Sequence, residues 1–206
     1  EVGIGFDTLD GDRQKRTYFG ARRGRGGNRI RDGKFAPDGK KYQLYAGPDG
    51  IHLHGGKDGF NVKLWDAKIE GDRLRLDYLS LDGGEHYPGN LKVTVWYEAR
   101  ERDLVITYEA TTDQATIVNL TNHEFFNLNG CESNILKHEV RLRANYYTPI
   151  DAGLVPTGEI LSVKGTPMDF TAGKAIGRDL ADIPEGYDHN FVLDKQKDGP
   201  EWVVEV

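Results

Sequence analysis

Apolar and polar residues alternate with a period of two along much of this 206-residue chain. In segment 73–79, Leu74, Leu76 and Tyr78 share one face of an extended chain, and segment 91–97 repeats the pattern. Such alternation is typical of strands with one buried face. The same reasoning predicts further strands at 104–109, 115–120, 138–143 and 190–193.

Turn-forming sequences separate these segments, at 82–84, 88–90 and 129–130. The 26 glycines also suit a β protein that is rich in turns. A helical pattern is confined to 173–181, where a short helix is expected. The sequence therefore predicts an all-β, antiparallel fold, a sandwich or a barrel, in which residues 1–206 form a single domain.

The charge balance argues against two classes of partner. Lys and Arg number 27 and Asp and Glu number 33, for a net charge of −6, so we expect neither nucleic acid nor an anionic membrane as a partner. The local cluster Arg22-Arg23-Gly24-Arg25 is either a solvated loop or a phosphate site. No apolar run is long enough to span a bilayer. The oligomeric state stays open.

Cys131 is the single cysteine, so an intrachain disulfide is impossible. A chain without disulfides fits a reducing compartment. We therefore expect a cytoplasmic location, with a secreted or periplasmic one as the alternative.

One histidine has unusually polar neighbours. His123 lies among Asn119, Asn122 and Asn127, in a segment that is otherwise apolar and aromatic. A lone histidine is more often a structural one, held by backbone hydrogen bonds. Buried amides are costly unless they are paired, so these asparagines weaken the structural interpretation and leave a functional site open. A rigidly held, partly dry histidine can act as a general acid or base near neutral pH. On a strand, Glu124 faces away from His123, so any carboxylate that tunes this histidine comes from elsewhere.

A second histidine pair, His52 and His54, precedes two glycines. On a strand the two rings share a face, which allows a metal site. A site of the cupin type also needs a glutamate soon after His54, and the first one is Glu70. Gly55 and Gly56 indicate a close approach of another strand or of a ligand.

Two further segments carry groups that can bind hydroxyls. Asn28 and Arg29 end a glycine-rich stretch and can together donate several hydrogen bonds. Asp188 lies at the start of a predicted strand and is either a hydroxyl acceptor or a turn cap. Polar groups beside aromatic rings are how proteins bind sugars. The candidate aromatic platforms are Trp65, Tyr87, Phe125 and Tyr187.

These segments, in this order, resemble the aldose 1-epimerase (galactose mutarotase) family. The match covers nearly the whole chain. The motifs that carry it are Phe19-Gly20-Ala21, Gly24-Arg25, Asn28-Arg29-Ile30, Leu53-His54-Gly55-Gly56, Leu64-Trp65, Tyr87-Pro88-Gly89, Asn119-Leu120-Thr121-Asn122-His123, Phe126-Asn127-Leu128-Asn129-Gly130, Val155-Pro156-Thr157-Gly158-Glu159-Ile160, Asp169-Phe170 and Gly186-Tyr187-Asp188-His189-Asn190-Phe191.

The resemblance implies a large β-sandwich, the galactose mutarotase-like supersandwich, and an enzyme that interconverts the α and β anomers of a free aldose such as glucose or galactose. It implies that Asn28, Arg29 and Asp188 bind sugar hydroxyls. His54 is expected to contact the substrate near the ring oxygen, and His123 to be the general acid that protonates this oxygen. No metal or organic cofactor is implied.

The chain departs from the family pattern in two respects. The catalytic base of the family is a glutamate downstream of the Asp188 motif. Glu201 and Glu205 do not match its motif, so the chain is expected to be truncated at both ends and to lack the base. In the first motif, Arg22, Arg23 and Gly26 replace mostly apolar or small residues.

Two other functions remain as alternatives. The chain could be a non-catalytic sugar-binding β-sandwich, because the motif of the catalytic glutamate is absent. It could also be a metal-dependent β-barrel enzyme that uses His52 and His54.

Overall fold

The structure is a computed structural model that describes residues 2–14, 17–196, 198–199 and 201–206. The chain divides into two compact units. The central unit is Ala21–His123, and the flanking unit combines Glu1–Gly20 with Glu124–Val206. Within the described part, no helix has the length and apolar character needed to cross a membrane.

The central unit contains ten strands, and every strand ladder in it is antiparallel. The strands are β1 Ala21–Arg23, β2 Arg29–Arg31, β3 Lys34–Phe35, β4 Tyr42–Gln43, β5 Ile51–Leu53, β6 Asp66–Glu70, β7 Arg73–Ser80, β8 Leu91–Arg100, β9 Asp103–Thr112 and β10 Thr121–His123. Three short 3-10 helices join them, at Pro37–Gly39, Phe60–Val62 and Gly84–His86.

A four-stranded meander, β6-β7-β8-β9, supplies the core of the central unit. Its register pairs Leu76 with Val95 and Val95 with Tyr108, so these side chains share one face. Leu76, Leu91, Val93 and Val95 are buried there together with Phe60. Burying a side chain of this size contributes roughly 1.5–3 kcal/mol. The strands predicted at 73–79, 91–97 and 104–109 are thereby confirmed.

The strand predicted at 115–120 is wrong. Within this segment the structure has one isolated parallel bridge, between Asn119 and Gly26. The Asn119 N–H donates to the Arg25 carbonyl at 2.8 Å, and the Asn119 carbonyl accepts from the Gly27 N–H at 2.8 Å. The backbone of Asn119 is therefore used by the glycine-rich loop. The strand begins two residues later, at Thr121.

In its described residues, the flanking unit has one short α-helix and six short strands. They are α1 Leu9–Gln14, β11 Glu139–Leu142, β12 Tyr146–Thr148, β13 Leu161–Ser162, β14 Lys174–Ala175, β15 Asn190–Val192 and β16 Val204–Glu205. The strands form two three-stranded sheets, β14-β11-β16 and β13-β12-β15. Val163, Met168 and Ile183 form a small core against Tyr147 and Phe191. The strands predicted at 138–143 and 190–193 are confirmed.

The helix predicted at 173–181 is also wrong. The segment opens with β14, which pairs with β11, and ends at the 3-10 helix Leu180–Asp182. Gly173 has a φ of +82°, and the Gly177 N–H donates to the Leu136 carbonyl at 2.8 Å. Both features are incompatible with a continuous helix. The α1 helix was not predicted, although the Thr8 hydroxyl accepts from the Gly11 N–H at 3.2 Å, an N-cap signal visible in the sequence.

Candidate active site

The ladder between β1 and β10 positions His123. It pairs Ala21 with His123, Arg22 with Asn122 and Arg23 with Thr121. Consecutive side chains on a strand point to opposite faces. Accordingly, the Asn122 amide contacts tyrosine hydroxyls of the meander, whereas the His123 ring packs against the ring of His54.

A turn at the end of β5 positions His54. The strand stops at Leu53, and His54 takes a φ of +54°, so the side-chain alternation of β5 ends before it. The His54 N–H donates to the Asn28 carbonyl at 3.0 Å. In return, the Asn28 N–H donates to His54 Nδ1 at 3.1 Å. This reciprocal pair fixes the backbone and the imidazole of His54 against the start of β2.

The bond from Asn28 also determines the tautomer of His54. Because Nδ1 accepts a hydrogen bond, the neutral ring carries its proton on Nε2. Burial is the largest cause of a lowering of the pKa of His54 to about 3. The charges of Arg23 and Arg29, together with His123, act in the same direction. His54 is therefore neutral near pH 7 and is a hydrogen-bond donor through Nε2.

We expect the stability of the protein to fall between about pH 6.5 and pH 3 because of His54. In the unfolded chain this ring gains a proton near its ordinary pKa of 6.5, whereas the folded protein resists protonation down to a pKa of about 3. The unfolded state thus binds more protons in this window. The stability from His54 is full above about pH 6.5 and is lost as the pH falls. Urea unfolding of the wild type and of His54→Gln at several pH values measures this. If the free energy of unfolding changed with pH by the same amount in the two proteins, the expectation would be contradicted.

The two histidine rings form the centre of the site. The centroids of His54 and His123 are 5.2 Å apart and their planes meet at 86°. Asn28 and Arg29 enter the same region from the start of β2, where Arg29 pairs with Leu53. The central unit thus brings together four of the five predicted site residues. Asp188 belongs to the flanking unit.

The glycines after His54 allow a close approach of backbone. Gly55 has a φ of +90°, and a Cβ atom there would lie 1.7 Å from the Gly24 carbonyl oxygen. Gly56 has a φ of +93°, and its Cβ would lie 1.9 Å from a carboxylate oxygen of Glu85. The same carboxylate accepts from the N–H groups of Lys57 and Asp58, at 2.9 and 3.1 Å. The close approach that the sequence indicated is therefore made by protein atoms.

Arginines support the loop that carries Asn28. Arg25 is 1% exposed and donates to the carbonyls of Pro88, Ser80 and Leu81 and to the Ser80 hydroxyl, at 2.9–3.0 Å. Arg23 is equally buried. The interpretation of the arginine cluster as a solvated loop is thus wrong for these two residues, and the partners of Arg25 show why its burial is tolerated.

His52 has a structural role. Its Nε2 lies 2.6 Å from the Tyr87 hydroxyl and its Nδ1 2.6 Å from the Tyr45 carbonyl. The Tyr87 oxygen in turn accepts from the Gly26 N–H at 3.2 Å. Burial lowers the pKa of His52 and raises the pKa of Tyr87. Both rings are fully enclosed, so Tyr87 is not the sugar platform that the sequence suggested.

Among the residues that the structure describes, His52 and His54 have no further side chains placed to complete a metal site. Both nitrogens of the His52 ring and Nδ1 of His54 already have hydrogen-bonding partners. Across the described residues, no group of three or more His, Cys, Asp or Glu side chains is arranged to hold a metal ion.

Asp188 lies in the flanking unit, just before β15, in a segment anchored by its neighbour Tyr187. The Tyr187 hydroxyl donates to the Pro167 carbonyl at 3.2 Å. The buried Lys174 ammonium donates to the same carbonyl and lies 2.6 Å from the Asp179 carboxylate. It also lies 4.3 Å from the centroid of the Phe170 ring, a cation–π distance. The burial of Lys174 was not predicted, because lysine is almost always exposed and this single lysine among small residues gives no sign of its partners.

The family model for aldose 1-epimerase matches residues 1–206. The chain belongs to the aldose 1-epimerase family. It is 44% identical over 200 residues to galactose mutarotase from Pongo abelii, an alignment that covers 96% of this chain and 58% of that protein. It is 39% identical over 189 residues to aldose 1-epimerase from Escherichia coli K12, covering 88% of this chain and 55% of the relative. The chain thus spans less than two thirds of the length of these relatives.

Solved structures of the family have the same fold. An aldose epimerase homologue from C. elegans superimposes with a TM-score of 0.87 at 27% identity, covering 98% of this chain and 63% of the other. A galactose 1-epimerase from Lactobacillus acidophilus NCFM gives 0.86 at 28% identity, covering 98% and 62%. The prediction of an all-β, mutarotase-like fold is confirmed.

Proposed function

We propose that the protein is an aldose 1-epimerase that interconverts the α and β anomers of free aldoses such as glucose or galactose. The observation that carries the proposal is the pair His54 and His123, one neutral ring with a fixed tautomer beside a second imidazole. The membership of the chain in the aldose 1-epimerase family supports it.

In the proposed mechanism, His123 is the general acid. A base removes the proton from the C1 hydroxyl of the sugar, the C1–O5 bond breaks, and its electron pair goes to the ring oxygen. His123 supplies a proton to this oxygen. After rotation about C1–C2, the aldehyde closes on its other face while both proton transfers run in reverse. A positioned acid contributes typically about 10²–10⁴-fold to such a rate.

His54 has a different role in the proposal. A neutral ring that carries its proton on Nε2 can donate a hydrogen bond to the substrate without a positive charge of its own. Because the pKa of His54 is lowered to about 3, this state persists throughout the physiological range. We therefore assign proton transfer to His123 and orientation of the sugar near its ring oxygen to His54.

Asn28, Arg29 and Asp188 are proposed to bind the sugar hydroxyls. An amide and a guanidinium donate to hydroxyl oxygens, and a carboxylate accepts from hydroxyl groups. A small aldose is the proposed ligand, and no cofactor is proposed. The single cysteine suggests a reducing compartment, and we propose the cytoplasm.

The general base is not assigned to a residue of this chain. The Glu201 carboxylate accepts from Arg143 and from the Gln196 N–H, both at 2.9 Å, and its side chain is 6% exposed. Both oxygens of this carboxylate therefore already accept hydrogen bonds within the flanking unit. Glu205 lies in β16, paired with Arg141.

Polarimetry on freshly dissolved α-glucose and α-galactose tests the proposal with the complete protein. We expect the approach to anomeric equilibrium to accelerate in proportion to protein concentration. Calorimetric titration with the same sugars provides the complementary measurement. Sugar binding without acceleration would contradict the proposed activity and favour a non-catalytic sugar-binding protein.

A further inference from the structure

Two tyrosine hydroxyls form hydrogen bonds with the side chain of Asn122, the residue before His123. The Tyr97 hydroxyl lies 3.2 Å from Asn122 Oδ1 and accepts from Nδ2 at 2.9 Å, so the contact has two points. The Tyr108 hydroxyl donates to the same Oδ1 atom. The two tyrosines come from adjacent strands, β8 and β9, in the centre of the meander.

The strand that carries His123 belongs to a small two-stranded ribbon. β10 has three residues, and in the described part of the chain its ladder connects it to β1 alone. β1 itself also has three residues. The hydrogen bonds from Tyr97 and Tyr108 to Asn122 therefore connect this small ribbon directly to the four-stranded meander, which supplies the core of the unit.

We propose that Tyr97 and Tyr108 are positioning residues for His123 and act through the side chain of Asn122. The inference rests on the proposed function, because the position of the His123 ring matters only if this ring transfers the proton. Adjacent side chains on a strand face opposite ways, so a fixed Asn122 determines where the ring of His123 points on the other face. A proton-donating group displaced by about 1 Å can lose about 10²-fold in rate.

The geometry separates this role from substrate binding. The two tyrosines contact the Asn122 face of β10, and the His54 ring contacts the His123 face. Loss of a tyrosine hydroxyl should therefore disturb the placement of the acid while the sugar-binding groups Asn28 and Arg29 stay where they are. The expected signature is a lower kcat with little change in KM.

Tyr108→Phe and Tyr97→Phe in the complete protein test the inference. We expect each to lower kcat for mutarotation by about 10-fold, with KM changed less than about 2-fold. Tyr78→Phe is the matched control, because Tyr78 belongs to the same core cluster but its ring packs against Phe60 and Trp65. This control should keep the kcat of the wild type. Equal kcat in all three variants would overturn the inference, as would a KM effect without a kcat effect.

A double-mutant cycle shows whether the tyrosines act through Asn122. If they do, adding Tyr108→Phe to Asn122→Ala should lower kcat no further than Asn122→Ala alone. If the reductions in kcat of the two single variants multiply in the double variant, the inference is contradicted. Should Tyr108→Phe fail to fold, Tyr97→Phe provides the same cycle. The wild type is measured alongside: if it does not accelerate mutarotation, the proposed function fails, whereas an active wild type with unaffected variants removes the inference alone.

Discussion

Replacing His123 by asparagine is expected to lower kcat for the proposed mutarotation by about 10²–10⁴-fold, because the ring oxygen of the sugar loses its proposed proton donor. Asparagine keeps a polar side chain of similar length on β10 and so limits any change in packing. KM should change little, because the proposed hydroxyl-binding groups Asn28, Arg29 and Asp188 are untouched. Polarimetric progress curves with α-glucose or α-galactose measure both constants.

His86→Asn is the control for this variant. His86 is an exposed histidine of the same unit, and its Nδ1 lies 3.3 Å from the Gln43 carbonyl. We expect this variant to retain the kcat of the wild type. An unimpaired His123→Asn protein would show that another group protonates the ring oxygen.

Replacing Gly55 by alanine is expected to destabilise the protein by more than about 4 kcal/mol, the range reached only by severe steric or electrostatic faults. The new Cβ would lie 1.7 Å from the Gly24 carbonyl oxygen, which also accepts from the Phe60 N–H at 3.3 Å. The φ of +90° adds strain. Because His54 immediately precedes this position, activity should be lost together with stability. Urea unfolding of the purified variant, or its failure to accumulate as folded protein, is the measurement.

Gly71→Ala separates the clash from the backbone strain. Gly71 lies in the turn between β6 and β7, has a φ of +61°, and has no heavy atom within 4 Å of a Cβ atom placed there. Only the cost of a left-handed conformation, roughly 1–2 kcal/mol, should appear. If the two variants lost similar amounts of stability, the clash between an alanine at position 55 and the Gly24 carbonyl would be contradicted.

Alternation in the sequence was sufficient to predict three strands of the meander, β7, β8 and β9, whereas β6 was not predicted. Strands such as β7 and β8 place every second side chain in one core, so apolar and polar residues alternate in their sequences. Segment 115–120 has a similar apolar content, but the backbone of Asn119 forms its hydrogen bonds with a loop. The local sequence pattern does not indicate this pairing. The 173–181 segment failed for a related reason, because the tertiary bond from Gly177 overrides a weak helical preference.

Motifs in the sequence selected the candidate site residues, but the sequence did not predict the environment of these side chains. Asn28, Arg29, His54 and His123 lie in one unit of the structure, and their roles stay predictions. The neutral tautomer of His54 depends on a backbone N–H that lies 26 residues away, and the sequence gives no hint of it. The burial of Arg23 and Arg25 was equally hidden, because charged residues in a glycine-rich stretch normally indicate solvent.

The hydrogen bond between Asn28 and His54 affects which substitutions position 28 can accept. The donor is the main-chain N–H of Asn28, whereas its side-chain amide is the group proposed to meet the sugar. Substitution at position 28 can therefore alter substrate preference while the proton on His54 stays on Nε2. The φ of +62° restricts the exchange to residues that tolerate this conformation, such as glycine or aspartate. Proline, which has no N–H, would disturb both functions at once.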